Sequence, residues 1–160
     1  MMYDPSMDIQ TLKTVKQKFD QGVGKLHLLK KCLEQLGSDR RLDVLVEAVN
    51  ETLGELTFWF AGTRYYVRVR ITDRETDDVG VDYRVPIGWL DWGRHNARGQ
   101  VEPPEQSNFY DQRGILCEVE KEEFYCSFED CRESRVASGL TKKLEKLVGR
   151  TIALNNGVSP

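Results

Sequence analysis

Arg64, Arg68, Arg70 and Arg84 alternate with apolar residues in the middle of the chain, and Trp59 and Tyr66 lie among them. A guanidinium stacks on aromatic rings and grips a carboxylate or phosphate with two parallel hydrogen bonds. Gathered on one side of a β-sheet, such residues form a platform for unpaired bases and a phosphate backbone. The same surface can instead grip a protein partner. Between Glu55 and Arg113 all eight basic residues are arginine, set against ten acidic ones. Glu118, Glu120 and Glu123 of a later strand pair supply the competing reading, in which the arginines are neutralised across neighbouring strands. The two meet in a third arrangement, with the arginines of one subunit against the glutamates of another.

Other residues could carry chemistry through residues 88–114, read as one long connection. It holds Trp89, Trp92, Phe109 and Tyr110, and Arg94 and His95 follow the tryptophans. A connection of that length inside a domain is either functional or ordered by packing. Its aromatics therefore roof the core or meet a partner, where tryptophan and tyrosine dominate the energetics. A helical turn over Trp89–Trp92 would bring Asp91 to His95, a carboxylate beside an imidazole suited to proton transfer. No recognisable nucleophile setting, phosphate-binding glycine loop or His-Glu-x-x-His accompanies the pair, so an enzyme is the lesser reading. Cys117, Cys126 and Cys131 lack the close pairing of a structural zinc site and read as small core residues. Asp73, Glu75, Asp77 and Asp78 read as a solvated acidic turn, without the glycine and terminal glutamate of a calcium loop. No catalytic residue, metal ligand or cofactor is assigned.

The elements that must position these residues follow from periodicity. Ile9, Leu12, Phe19, Val23, Leu26, Leu33 and Leu36 recur at helical spacing, with Gly22 and Gly24 marking a possible break. Leu42, Leu45, Val46, Val49 and Leu53 predict a second helix, so residues 1–54 form a helical hairpin. From Leu56 the period becomes two. A Gly62-Thr63 turn pairs Phe60 with Tyr65 and Phe58 with Val67, apolar against apolar. Val81, Tyr83, Val85 and Ile87 continue that face in a third strand, with Arg84 and Pro86 opposite; Pro86 points to an edge or a strand end. A turn at Lys121-Glu122 closes a second hairpin, Cys117 facing Cys126. A last helix spans residues 129–150, ahead of a short strand and tail over 151–160.

These elements predict one α+β domain, an antiparallel sheet of about five strands covered on one face by the helical hairpin and the C-terminal helix. The layout is similar to that of small acidic secretion chaperones, which also wrap helices on an antiparallel sheet and act as dimers. That likeness implies a chaperone-like binding role. The stripe of the first helix outruns strands of ordinary length and leaves apolar surface for a second copy, hence a homodimer. With 160 residues, 31% charged and a net charge of −3, the chain is neither disordered nor a general polyanion binder. It shows no secretory leader and no apolar run of membrane length, which places it in the cytoplasm with reduced cysteines. The expectation is a protein-binding module using Trp59, Arg64, Tyr66, Arg68, Arg70 and Arg84 with Trp89, Trp92, Arg94 and His95. Single-stranded nucleic acid on the same face and a small enzyme at His95 and Asp91 are the alternatives.

Overall fold

The computed structural model describes residues 5–76 and 83–156. Helix α1 (Pro5–Asp39) leads into seven strands: β1 (Leu45–Val46), β2 (Glu55–Phe60), β3 (Thr63–Thr76), β4 (Tyr83–Arg94), β5 (Gln106–Asp111), β6 (Gly114–Val119) and β7 (Glu122–Cys126). Helix α2 (Ser134–Asn155) follows. The strands form a single antiparallel sheet in the order of the sequence. The fold is therefore α+β, with seven strands rather than five.

Helix α1 runs 35 residues without a break at Gly22 or Gly24. Gly22 serves close packing: a Cβ there would lie 2.6 Å from the Tyr110 hydroxyl and 2.8 Å from a Val69 methyl. The missing side chain lets the helix approach the sheet closely enough for Tyr110 to donate to the Lys18 carbonyl. Leu26, Leu29, Leu33 and Leu36 line the buried stripe, while Ile9 and Leu12 are 52% and 68% exposed. The second helix does not form. Residues 42–50 instead run along β2 as an edge segment, with Leu45 opposite Trp59, Val46 opposite Phe58, and Glu47 N–H donating to Thr57 O. Val44, Val46 and Val49 suit that extended backbone better than a helix.

Both hairpins turn one residue earlier than the sequence suggests. Phe58 faces Tyr65 and Leu56 faces Val67, around an Ala61-Gly62 turn whose φ angles are 49° and 83°. Likewise Cys117 faces Phe124 and Ile115 faces Cys126, around Glu120-Lys121 at φ 53° and 69°. Positive φ at both central residues is the twist-matched type I′ geometry. Moving a turn by one position moves the pairing by two, so each side chain keeps its face.

The expected connection 88–114 is a β-hairpin. Strand β4 continues to Arg94, beyond the expected end at Ile87, and β5 returns beside it with Trp92 opposite Gln106 and Gly88 opposite Tyr110. Asn96 turns the chain at the tip by accepting from the N–H groups of Arg98 and Gln100. Pro86 sits where β4 pairs with β3 alone, a stretch that needs no second ladder donor. Strand β4 also has the opposite parity to that expected. Pro86, Gly88, Leu90 and Trp92 face the helices, whereas Val85 is 40% exposed. Asp73 and Glu75 lie within β3; Asp77, Asp78 and Val81 fall outside the described residues.

Both helices cover the same face. Leu26, Leu29 and Leu33 of α1 and Val136, Leu140 and Leu147 of α2 share a core with Phe58, Val67, Leu90, Trp92, Tyr110 and Ile115. Tyr65 pins the end of α2 through a 3.0 Å hydrogen bond to the Thr151 hydroxyl. Helix α2 begins at Ser134, passes through Gly149 and ends at Asn155, so the predicted strand at 151–154 is its last turn. Among the described residues no helix is long and apolar enough to cross a membrane.

Candidate functional site

The face without helices carries the arginines. Arg64, Arg68 and Arg70 alternate with the core residues Tyr65, Val67 and Val69 along β3, so all three share this open side. Cross-strand register then arranges two rows. A polar row reads Glu55, Arg68, Asp91 and Ser107 across β2 to β5. An aromatic row reads Arg70, Trp89 and Phe109 and reaches Tyr125 of β7. Ring centroids are 5.9 Å apart for Trp89–Phe109 and 6.5 Å for Phe109–Tyr125, both edge-on.

Each arginine is held by a carboxylate. Arg64 donates to Glu47 at 2.9 and 3.4 Å. Arg68 donates to Glu55, and Arg70 to Asp91 at 2.7 and 3.1 Å. Ser107 adds a 2.6 Å donor to Asp91. The guanidiniums also lie over rings: Arg68 over Tyr66 and Arg70 over Trp89, each at 5.5 Å, and Arg113 over Tyr125 at 4.0 Å. Arg113 is itself fixed by Asp111 at 2.7 Å. The neutralising carboxylates are thus Glu47, Glu55, Asp91 and Asp111, not Glu118, Glu120 and Glu123. An exposed pair of this kind contributes about 0.2–1 kcal/mol, so its main effect is to fix where each guanidinium points.

The remaining predicted residues separate. Trp59 joins the open face, 42% exposed, its indole N–H donating to Glu47 at 3.0 Å. Trp89 joins it too, donating to Thr72 at 2.8 Å. Tyr66 lies on this face but is only 2% exposed. It spreads over Gly93, where a Cβ would meet its hydroxyl at 2.4 Å, and it donates to Glu102 O at 2.6 Å. His95 is buried beside it, ring edge to ring face at 5.8 Å, with Nδ1 unpartnered. Asp91 and His95 are four residues apart on an extended strand, about 13 Å, so they cannot exchange a proton. Trp92 is fully buried and packs in the core. Arg94 lies opposite Tyr65, on the helix side, 3.9 Å from Glu105. Arg84 pairs with Glu75 in the alternation of Pro86 and Gly88, against that of Arg70; its side chain lies outside the described residues.

Glu47, Phe109, Asp111, Arg113 and Tyr125 were missed. The periodicity puts Glu47 on a helix and the next three inside a loop. For Phe109 and Asp111 the one signal is the alternation of Ser107, Phe109 and Asp111 with Asn108 and Tyr110.

Partial burial pushes the Glu47 carboxyl up, but the hydrogen bonds and charge of Arg64, with Thr57 and Trp59 adding to them, hold it below its ordinary 4.5. A depressed carboxyl contributes stability present above the unfolded value and lost as pH falls through the folded one. Trp59 emission is therefore expected to change in acid with a midpoint below 4.5, and Glu47→Gln is expected to abolish that transition. An unchanged transition in the variant would place the acid response elsewhere. In comparisons of the chain with protein-family models, curated proteins and solved structures, no match was found.

Proposed function

We propose that the chain is a non-enzymatic protein-binding module that works through its helix-free sheet face. One observation carries the reading: arginines held by neighbouring carboxylates and stacked on aromatic rings occupy a face that, among the described residues, no helix covers. Arginine and aromatic residues are enriched at protein interfaces, and anchors already held in place lose less freedom on binding. The same arrangement weighs against nucleic acid, because a phosphate must displace Glu47, Glu55 and Asp91 to reach the guanidiniums. A homodimer fits the exposed Ile9 and Leu12 of α1, and a cytoplasmic setting is part of the proposal.

The test compares the wild type with Arg70→Ala/Trp89→Ala after matched thermal unfolding. A protein partner retained by the first and lost by the second supports the reading. Retention of a single-stranded oligonucleotide that weakens steeply with salt, and is lost in Arg68→Ala/Arg70→Ala, would replace it with the nucleic-acid one. Solution mass decides the dimer.

A further inference from the structure

We propose that Lys143 is a nucleophilic amine that captures a small 2-oxo acid as a reversible imine, in a cleft under α2 where β5 and β6 part. Strands β5 and β6 pair only next to their turn, Tyr110 with Ile115 and Asp111 with Gly114. Beyond that they part, and the Asn108 side-chain amide spans the gap to Leu116 O at 3.0 Å. A cavity of about 220 Å³ runs through this gap, lined by Gln106, Ser107, Asn108 and Glu118 beneath Lys142, Lys143 and Lys146 of α2. At roughly 30 Å³ per water it has room for about seven heavy atoms.

Lys143 is only 7% exposed, and no described carboxylate pairs with it. Its ammonium end lies 5.5 Å from the centre of the Trp92 ring. Asn108 Oδ1 is buried without a donor. The groups around the amine are Lys142 and Lys146 on its own helix, Cys117 and Glu118 on β6, and Cys126 on β7. Burial pushes the amine down to about 8; Cys117 and Cys126 act upward and Lys146 downward. Near pH 8 about half of it is the free base, against under about 1% for a lysine of ordinary pKa near 10.4.

Lys146 gives the acid's carboxylate a cation, while Lys142 is engaged by Glu145 at 3.4 Å. The neutral Nζ attacks the keto carbon, a C–N bond forms, and the carbonyl π pair moves to oxygen. That oxygen takes the amine proton to give a carbinolamine, whose O–H can donate to Asn108 Oδ1. The hydroxyl then leaves as water with the remaining N–H proton, the nitrogen lone pair forms the C=N bond, and the neutral imine takes a proton from solvent to become the iminium, with no net oxidation or reduction.

The experiment treats the full chain with pyruvate, reduces it with borohydride and maps the adduct. Lys143 is expected to be labelled at least tenfold faster than any other lysine at pH 7.5. Its rate should level off above about pH 8 while exposed lysines continue to rise. Acetaldehyde is expected to label it more weakly, and equal labelling would overturn the assignment to an acid. Labelling spread evenly over the lysines would overturn the proposal. Lys143→Met should fold, because it removes a buried amine that lacks a counterion, and it should lose the fast adduct; fast labelling that persists there would also overturn it.

Discussion

Gly88→Val is expected to unfold the protein or to destabilise it by about 4 kcal/mol or more, the range reserved for gross core disruption. A Cβ at Gly88 would lie 2.2 Å from Tyr110 Cζ and 2.5 Å from both Cε2 and the hydroxyl. The ring has nowhere to go: it is fully buried, Gly22 of α1 closes over it, and its hydroxyl is bound to Lys18 O. Ordinary overpacking costs about 1–3 kcal/mol because neighbours can shift, and here the neighbour is clamped. Thermal unfolding of Gly88→Val checks this, and Gly88→Ala, Tyr110→Leu and their double variant test its cause. The double variant should be more stable than the sum of the single losses, since the smaller side chain vacates the space the methyl needs. Strict additivity would show that the two residues do not compete. The same device recurs on the open face, where Tyr66 lies over Gly93. An aromatic from the adjacent strand thus covers each of two glycines in β4.

Mild oxidation is expected to join Cys32 to Cys131 and raise the unfolding free energy by roughly 4–5 kcal/mol, the loop-closure value for about 100 residues. The sulfurs are 2.7 Å apart across 99 sequence positions, one on α1 and the other ahead of α2. Both border a cavity of about 320 Å³ between the two helices, which gives a small reagent access. Burial and the adjacent Cys131 push the Cys32 thiol up, so Cys131, the less buried of the two, is the sulfur a small disulfide meets first. Cys131 forms a mixed disulfide, Cys32 displaces the small thiol, and two electrons and two protons leave with the reagent. Denaturant unfolding with and without reductant reads the effect. Cys131→Ser should remove the difference, and equal midpoints in the wild type would sink the expectation.

Which residues share a face was largely legible from the sequence, and which residues touch was less so. Alternation placed Arg64, Arg68 and Arg70 together and Tyr65, Val67 and Val69 behind them, because the side-chain period of a strand is two whatever its partner. Pairing apolar against apolar could not choose between registers two residues apart. Glu120-Lys121 carries no glycine or asparagine to announce a turn with positive φ. Strand β4 misled for a physical reason: Val85 and Ile87 look like a core stripe, but Pro86 and Gly88 take the helix side. Glycine there leaves the space that Tyr110 fills, a relation between distant positions that no local pattern records. Trp92, Arg94 and His95 shared the same misreading, and once β4 is extended to Arg94 they alternate between faces like any strand residues.

Because each strand of the sheet lies beside the one that precedes it in the chain, assembly requires no long-distance strand search. The loops to be closed are short, and low contact order goes with rapid folding. Hairpins can zip one after another, leaving the closure of α1 over β3 and β4 as the main step that joins remote parts of the chain.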